Sequence, residues 1–99
     1  MPKVILHISY EIPSENRDAY LALARELKAH FAVEQKKNYS LFEVRGKKNA
    51  FIEQFVCESM EAYEALEDDM NEKSEALVAR LNGLLKNGKA KYSTLVELA

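Results

Sequence analysis

Apolar positions along this chain switch repeatedly between a period of two and a period near 3.6, the two spacings that mark strands and helices. Val4 to Tyr10 is β-branched and aromatic, with Val4, Leu6, Ile8 and Tyr10 on one face and Ile5, His7 and Ser9 on the other. This reads as a first strand, ended by Pro13. Ser14 is placed to cap a helix, with Glu15 in its first turn. Tyr20, Leu23, Ala24, Leu27 and Phe31 then recur at helical spacing, to about Val33. A second strand is predicted from Tyr39 to Arg45, a turn over Gly46-Lys47-Lys48-Asn49, and a third strand from Phe51 to Cys57. Ser59 caps a second helix, with Tyr63, Leu66 and Met70 as its stripe. Asp68-Asp69-Met70-Asn71 is a weak helical stretch that predicts a bend or break. Leu77, Val78, Leu81, Leu84 and Leu85 resume the stripe until Asn87-Gly88 stops it. Tyr92 to Leu98 is a fourth strand.

The order β-α-β-β-α-β predicts an α+β, ferredoxin-like domain with an antiparallel four-stranded sheet. The third strand carries Phe51, Phe55 and Cys57 on one face and Ile52 and Val56 on the other. Two helices cover one face of such a sheet. The other face needs a partner, and a second copy of the chain supplies one. The expected assembly is a homodimer in which two sheets close as a dimeric α/β barrel. Residues 1–99 form a single domain, with no repeat or linker.

Composition narrows the function classes. The chain carries 14 basic and 16 acidic residues, a net charge of −2, which argues against a nucleic-acid surface. Its apolar runs are far shorter than the ~20 residues of a membrane span. There is one cysteine, Cys57, and therefore no intrachain disulfide. A cytoplasmic protein is expected.

Several residues could carry chemistry. His7 lies mid-strand among apolar neighbours, as a general base or as a hydrogen-bonded histidine of the sheet or dimer interface. His30 flanks the first helix stripe and reads as a surface residue. Glu53 lies between Phe51 and Phe55, as a pocket base or in a cross-strand ion pair with Arg45 or Lys47. Cys57 reads as a buried small hydrophobe. Glu64, Glu67, Asp68, Asp69, Glu72 and Glu75 make a solvated acidic helix face without metal-ligand spacing. Lys36, Lys37, Lys47 and Lys48 are expected at one end of the hairpin, as solubilising charges or as an attraction for anions. No glycine-rich phosphate loop, Ser-His-Asp arrangement or Cys-x-x-Cys pair is visible.

The stretch Cys57-Glu58-Ser59-Met60-Glu61-Ala62-Tyr63 resembles a segment of the antibiotic biosynthesis monooxygenase family. These are small dimeric α/β-barrel proteins that include quinol oxygenases and haem-degrading enzymes. In them a strand ends in a tryptophan, a serine two residues later caps the helix, and an alanine–aromatic pair sits in the first turn. Ser59 and Ala62-Tyr63 match the serine and the pair. Pro13-Ser14 through Leu27 is similar to the family's first helix and its entry turn. The tryptophan position falls on Cys57 or Phe55, according to register. The position of the iron-ligating histidine in the haem-degrading branch falls on Ala76.

The resemblance implies a cofactor-free monooxygenase-like protein acting on a small aromatic or quinol-type molecule, in a pocket between sheet and helices. His7 and Tyr63 are its candidate catalytic residues. Tyr10, Tyr20, Glu53, Phe55 and Cys57 are the candidate ligand-binding residues. No metal or cofactor is expected, haem included, and the expected partners are a second copy and a small-molecule ligand. The alternative is a non-catalytic dimeric module that binds a small molecule.

Overall fold

The structure is a computed structural model that describes residues 2–98. Its main elements are β1 (Val4–Glu11), α1 (Arg17–Lys28), β2 (Tyr39–Glu43), β3 (Ala50–Cys57), α2 (Met60–Asp68), α3 (Glu72–Asn82) and β4 (Ala90–Val96). The strands form one sheet in the order β2-β3-β1-β4, and every neighbouring pair is antiparallel. This is the predicted ferredoxin-like α+β arrangement, with the second helix in two pieces.

Local chemistry explains where the elements begin and end. Ser14 does not cap α1. Ser14–Asn16 forms a 3-10 turn instead, and the Ser14 hydroxyl accepts from Asn49 Nδ2 at 3.1 Å. α1 ends at Lys28 rather than near Val33, and Ala29–Glu34 winds on as a π-helix. The wider turn brings two consecutive residues, His30 and Phe31, into the interior. Ser59 caps α2 as expected, accepting from the Ala62 amide at 3.1 Å. The helix does break at Asp69–Asn71, because Asn71 caps α3 by accepting from the Ser74 amide at 2.9 Å.

Three other boundaries differ from expectation. α3 ends at Asn82, and a separate 3-10 turn covers Lys86–Gly88, with Asn87 and Gly88 at positive φ. β2 stops at Glu43, because Val44 already belongs to the turn through its bond with Lys47. β4 runs Ala90–Val96 rather than Tyr92–Leu98. Lys36 and Lys37 precede β2 while Lys47 and Lys48 follow it. The four lysines thus stand at opposite ends of the strand, which corrects the expected single cluster.

The core lies on one side of the sheet. Ile8 and Tyr10 from β1 and Phe51 and Phe55 from β3 pack with Tyr20, Leu23, Leu27, Phe31, Leu77 and Leu81. Truncating one of the fully buried leucines, Leu23 or Leu27, removes about 2–5 kcal/mol of stability. The opposite face carries Ile5, His7, Ile52, Gln54, Val56 and Leu95, all half-buried or exposed, and Phe42 at 49% exposure.

One polar hub ties the β2–β3 hairpin to the start of α1. Arg17 makes a two-pronged contact with Glu43, at 2.6 and 2.9 Å, and also donates to Asn49 Oδ1 at 2.7 Å. The bond from Arg17 and that from the Asn49 amide pull Glu43 from 4.5 to about 2. A depressed carboxylate contributes stability that is present above its unfolded value and lost as pH falls through its folded one. Arg17→Gln is therefore expected to raise the Glu43 midpoint in a carboxyl NMR titration. It should also flatten the loss of stability between pH 4.5 and 2. An unmoved midpoint would contradict this account.

Candidate functional site

A cavity of about 550 Å³ opens between the helix-facing side of the sheet and α2–α3. The pleat builds its floor. Leu6 and Ile8 point into it from β1, and Phe55 and Glu53 from the paired positions of β3. Phe31 closes one wall, and Leu66, Met70, Val78 and Leu81 form the roof. Tyr63 and Tyr92 stand at the open side, with Tyr63 held by a 2.6 Å hydrogen bond between its phenol and Thr94 Oγ1. The lining is mainly apolar and aromatic with a few polar groups, the usual make-up of a small-molecule site.

Glu53 is the chemically distinctive group. Its side chain is 4% exposed. The expected ion pair with Arg45 or Lys47 is not formed. Antiparallel pairing sets Glu53 opposite Ile8 and Leu41, away from the turn that holds both cations. Its partner is a phenol: Tyr39 donates to Oε1 at 2.6 Å. Burial pushes the carboxyl above its ordinary value, while hydrogen bonds from Tyr39 and Tyr10 pull it part of the way back. Behind it the Tyr10 and Tyr20 phenols share a 2.8 Å hydrogen bond. Burial pushes Tyr20 up to about 12 and raises Tyr10 and Tyr39 further. All three phenols therefore stay protonated at neutral pH. The result is a carboxyl whose environment is phenolic and uncharged.

The candidates from sequence divide among three places. Glu53, Phe55 and Tyr63 line the cavity. Tyr10 and Tyr20 sit behind the floor, as support for Glu53 rather than in the lining. Cys57 is buried at the end of β3, and burial raises its thiol. His7 lies on the other face of the sheet, where its Nδ1 bonds the Gln54 side-chain amide at 3.1 Å. It therefore stands apart from Tyr63 and from the cavity. Tyr39 was not foreseen as a site residue. Its identity is an ordinary strand residue, and only the register of β2 against β3 brings it to Glu53.

His30 corrects a second expectation. It is buried rather than on the surface, with Nε2 at 2.6 Å from Ser74 Oγ and Nδ1 at 3.1 Å from Glu34 Oε1. Lys73 holds the Glu34 carboxyl below its ordinary value. The carboxylate has no proton to give, so Nδ1 carries an N–H, while the Ser74 hydroxyl lies between Nε2 and a second acceptor, Asn71 Oδ1 at 3.1 Å. A serine, a histidine and a carboxylate thus meet in a way no sequence spacing announces. Ser74 is 0% exposed, so no substrate reaches its hydroxyl. The trio works as a tie between the end of α1 and the first turn of α3. Gln35 and Lys37 extend the tie, the first donating to the Asp69 carbonyl at 2.9 Å and the second pairing with the Asp69 carboxylate.

Among the described residues no group of three or more His, Cys, Asp or Glu side chains could hold a metal ion. Among the described residues no helix is long and apolar enough to cross a membrane.

Comparison with known proteins locates the fold. No protein-family model matches the chain, and no curated protein matches it in sequence. Solved structures do. A structure of antibiotic biosynthesis monooxygenase is 23% identical, with a TM-score of 0.70 over 100% of this chain and 98% of that one. SnoaB, a cofactor-independent oxygenase from Streptomyces nogalater, is 13% identical, with a TM-score of 0.72 over 94% and 90%. A Pseudomonas aeruginosa protein is 19% identical, with a TM-score of 0.75 over 100% and 97%. The chain has the fold that these proteins share, as its resemblance to the monooxygenase family implied.

The titration of Glu53 sets a test. Its folded value lies above the unfolded one, so the unpaired carboxylate lowers stability progressively as pH rises from 4.5 toward the folded value. Glu53→Gln is expected to remove that decline in urea unfolding measured across pH. Tyr39→Phe removes a bond that favours the carboxylate and should raise the Glu53 midpoint, followed by the carboxyl infrared band. A Glu53 that titrates near 4.5 would refute the described environment.

Proposed function

We propose that the chain is a cofactor-free, oxygenase-like enzyme acting on a small hydroxylated aromatic of the quinol type. The substrate would enter the cavity between sheet and helices and meet Glu53 at its floor. One observation carries the reading: a buried carboxyl, without a cationic partner, facing an aromatic-lined cavity. A phenolic hydroxyl holds its proton near pH 10. A carboxyl raised above its usual range is better matched to take that proton than an exposed one. The aryl oxide so formed is electron-rich and can give an electron to O2. For a quinol with a free ring position the full change is quinol + O2 → hydroxyquinone + H2O, in which one ring C–H becomes C–OH and the diol becomes the dione. The substrate is the reductant and the second oxygen atom leaves as water. In this scheme Tyr63, fixed by Thr94, donates a hydrogen bond to a second substrate oxygen. The likeness in fold to a cofactor-independent oxygenase supports this reading.

The partner in this proposal is a second copy. The sheet face opposite the helices presents Ile5, Val56 and Leu95 in one cross-strand row and Phe42 and Ile52 in another. At about 25 cal/mol per Å² of apolar area, covering several such side chains is worth several kcal/mol. His7 and Gln54 would then lie inside the dimer, and His7 would serve the interface rather than the reaction.

Two measurements check these statements. With a panel of hydroxyaromatics in an oxygen electrode, the wild type should consume O2. Glu53→Gln should lose roughly a hundredfold or more, and His7→Ala should keep most of the activity. Stabilisation by the same panel without any turnover would instead mark a binding module. In sedimentation the 11.3 kDa chain should run as a dimer at micromolar concentration, and Val56→Arg should dissociate it. A folded wild-type monomer would overturn the assembly.

A further inference from the structure

The roof of the cavity has two halves of unequal support. α3 supplies Val78 and Leu81 and is itself set in the core, with Ser74, Leu77 and Leu81 buried. α2 supplies Tyr63 and Leu66, and none of its residues is buried. From 58 to 73 every position is exposed or half-buried. The reason lies beneath the helix. Its inner face looks into about 550 Å³ of open space rather than onto other side chains. A helix of nine residues is not stable on its own and relies on tertiary contacts.

The contacts that hold α2 lie at its ends. At the mouth, Tyr63 bonds Thr94 on the edge strand β4 at 2.6 Å. Thr94 shares a face of β4 with Tyr92, and the two pair with the floor residues Leu6 and Ile8 of β1. This bond therefore bars the open side. At the far end Gln35 donates to the Asp69 carbonyl at 2.9 Å, and Lys37 pairs with the Asp69 carboxylate. Beyond each end the chain leaves helical geometry, at Ser59 and at Asn71, both extended. α2 is thus a short rod, latched at both ends by polar contacts within reach of water, with a hollow under its middle.

We infer that α2 is a lid. It swings outward to admit the ligand and closes on it, and the ligand supplies the apolar packing that its inner face lacks. Segments with few buried contacts and water-exposed hydrogen bonds are the ones that open locally. A ligand held by the closed form alone slows that opening by mass action. The inference rests on the reading of the cavity as the ligand site, and it adds the element that controls access to it.

The probe is 2-naphthol, an apolar hydroxyaromatic whose single oxygen leaves Tyr63 with no second ligand oxygen to bind. In amide hydrogen exchange of the unliganded protein, α2 should exchange faster than α1 and α3. With 2-naphthol at ten times its Kd, exchange in α2 should slow about tenfold. Stopped-flow fluorescence then gives the rate constants of binding and release. Thr94→Val frees the mouth end and Asp69→Asn the far end, and neither side chain lines the cavity. A latch stabilises the closed lid equally with and without ligand. Each variant should therefore raise both rate constants by about two- to fivefold, the worth of one exposed polar contact, and leave Kd as it was. Unchanged rate constants, or a release rate raised alone, would make α2 a fixed roof and overturn the inference. So would α2 amides that exchange as slowly as those of α3, or that slow no further with 2-naphthol bound. Each of these results leaves the cavity reading intact so long as 2-naphthol shifts the methyl signals of Ile8 and Leu81. Failure to shift them would overturn the cavity reading and the lid with it.

Discussion

The ladder between β1 and β3 governs the rest of this molecule. Eight consecutive pairs, from Val4 with Cys57 to Glu11 with Ala50, hold the two central strands in a single register. Side chains alternate across a sheet, so that register decides which groups meet the helices and which do not. It places Ile8 beside Glu53 over the cavity and His7 beside Gln54 on the opposite face. A slip of one residue would exchange the two sets, burying an imidazole and an amide among leucines and turning the carboxyl outward. The large aromatic residues pin the register, because Tyr10, Phe51 and Phe55 are buried on the helix side and would be left on an open face on the other.

Much of this was legible in the chain because the two periods are physically distinct. Alternation located β1 and β3, the 3.6 spacing of Tyr20, Leu23 and Leu27 located α1, and the weak helical run at Asp68–Asn71 located the break between α2 and α3. Less was legible where several local interactions compete. Ser14 has the chemistry of a cap, yet its hydroxyl accepts from Asn49, a residue brought near only by the hairpin. The π segment has no signature in spacing. His30 looked peripheral because an α-helical wheel places it at the edge of the stripe.

The site divided in the same way. Phe55, Tyr63 and Glu53, named as site residues through the family resemblance, do line one cavity. Their partners could not be named, since Tyr39–Glu53 and Ser74–His30 join residues far apart in sequence, and only tertiary pairing selects them. The ion pair expected for Glu53 failed for a related reason. Proximity in the hairpin favoured Arg45 and Lys47, but both belong to the turn, and the carboxyl is half a strand away. A phenol satisfies the buried oxygen at lower cost than a charge would, because no second ion has to be desolvated.

The π segment at Ala29–Glu34 has one more consequence. Relative to a plain α-helix, a π turn accommodates an additional residue, and each residue of a helix turns the following ones by about 100°. Everything downstream of it is therefore phased differently from the rest of α1. The helix presents a hydrocarbon seam to the sheet along its length and then, in its last turn, a polar anchor to another helix. Deleting a single residue in that turn would keep the chain almost the same length and its composition almost unchanged. It would nonetheless rotate Gln35 and Lys37 off the α2–α3 joint. One insertion thus acts as a clutch, letting a rigid rod engage two surfaces that a uniform helix could not address together.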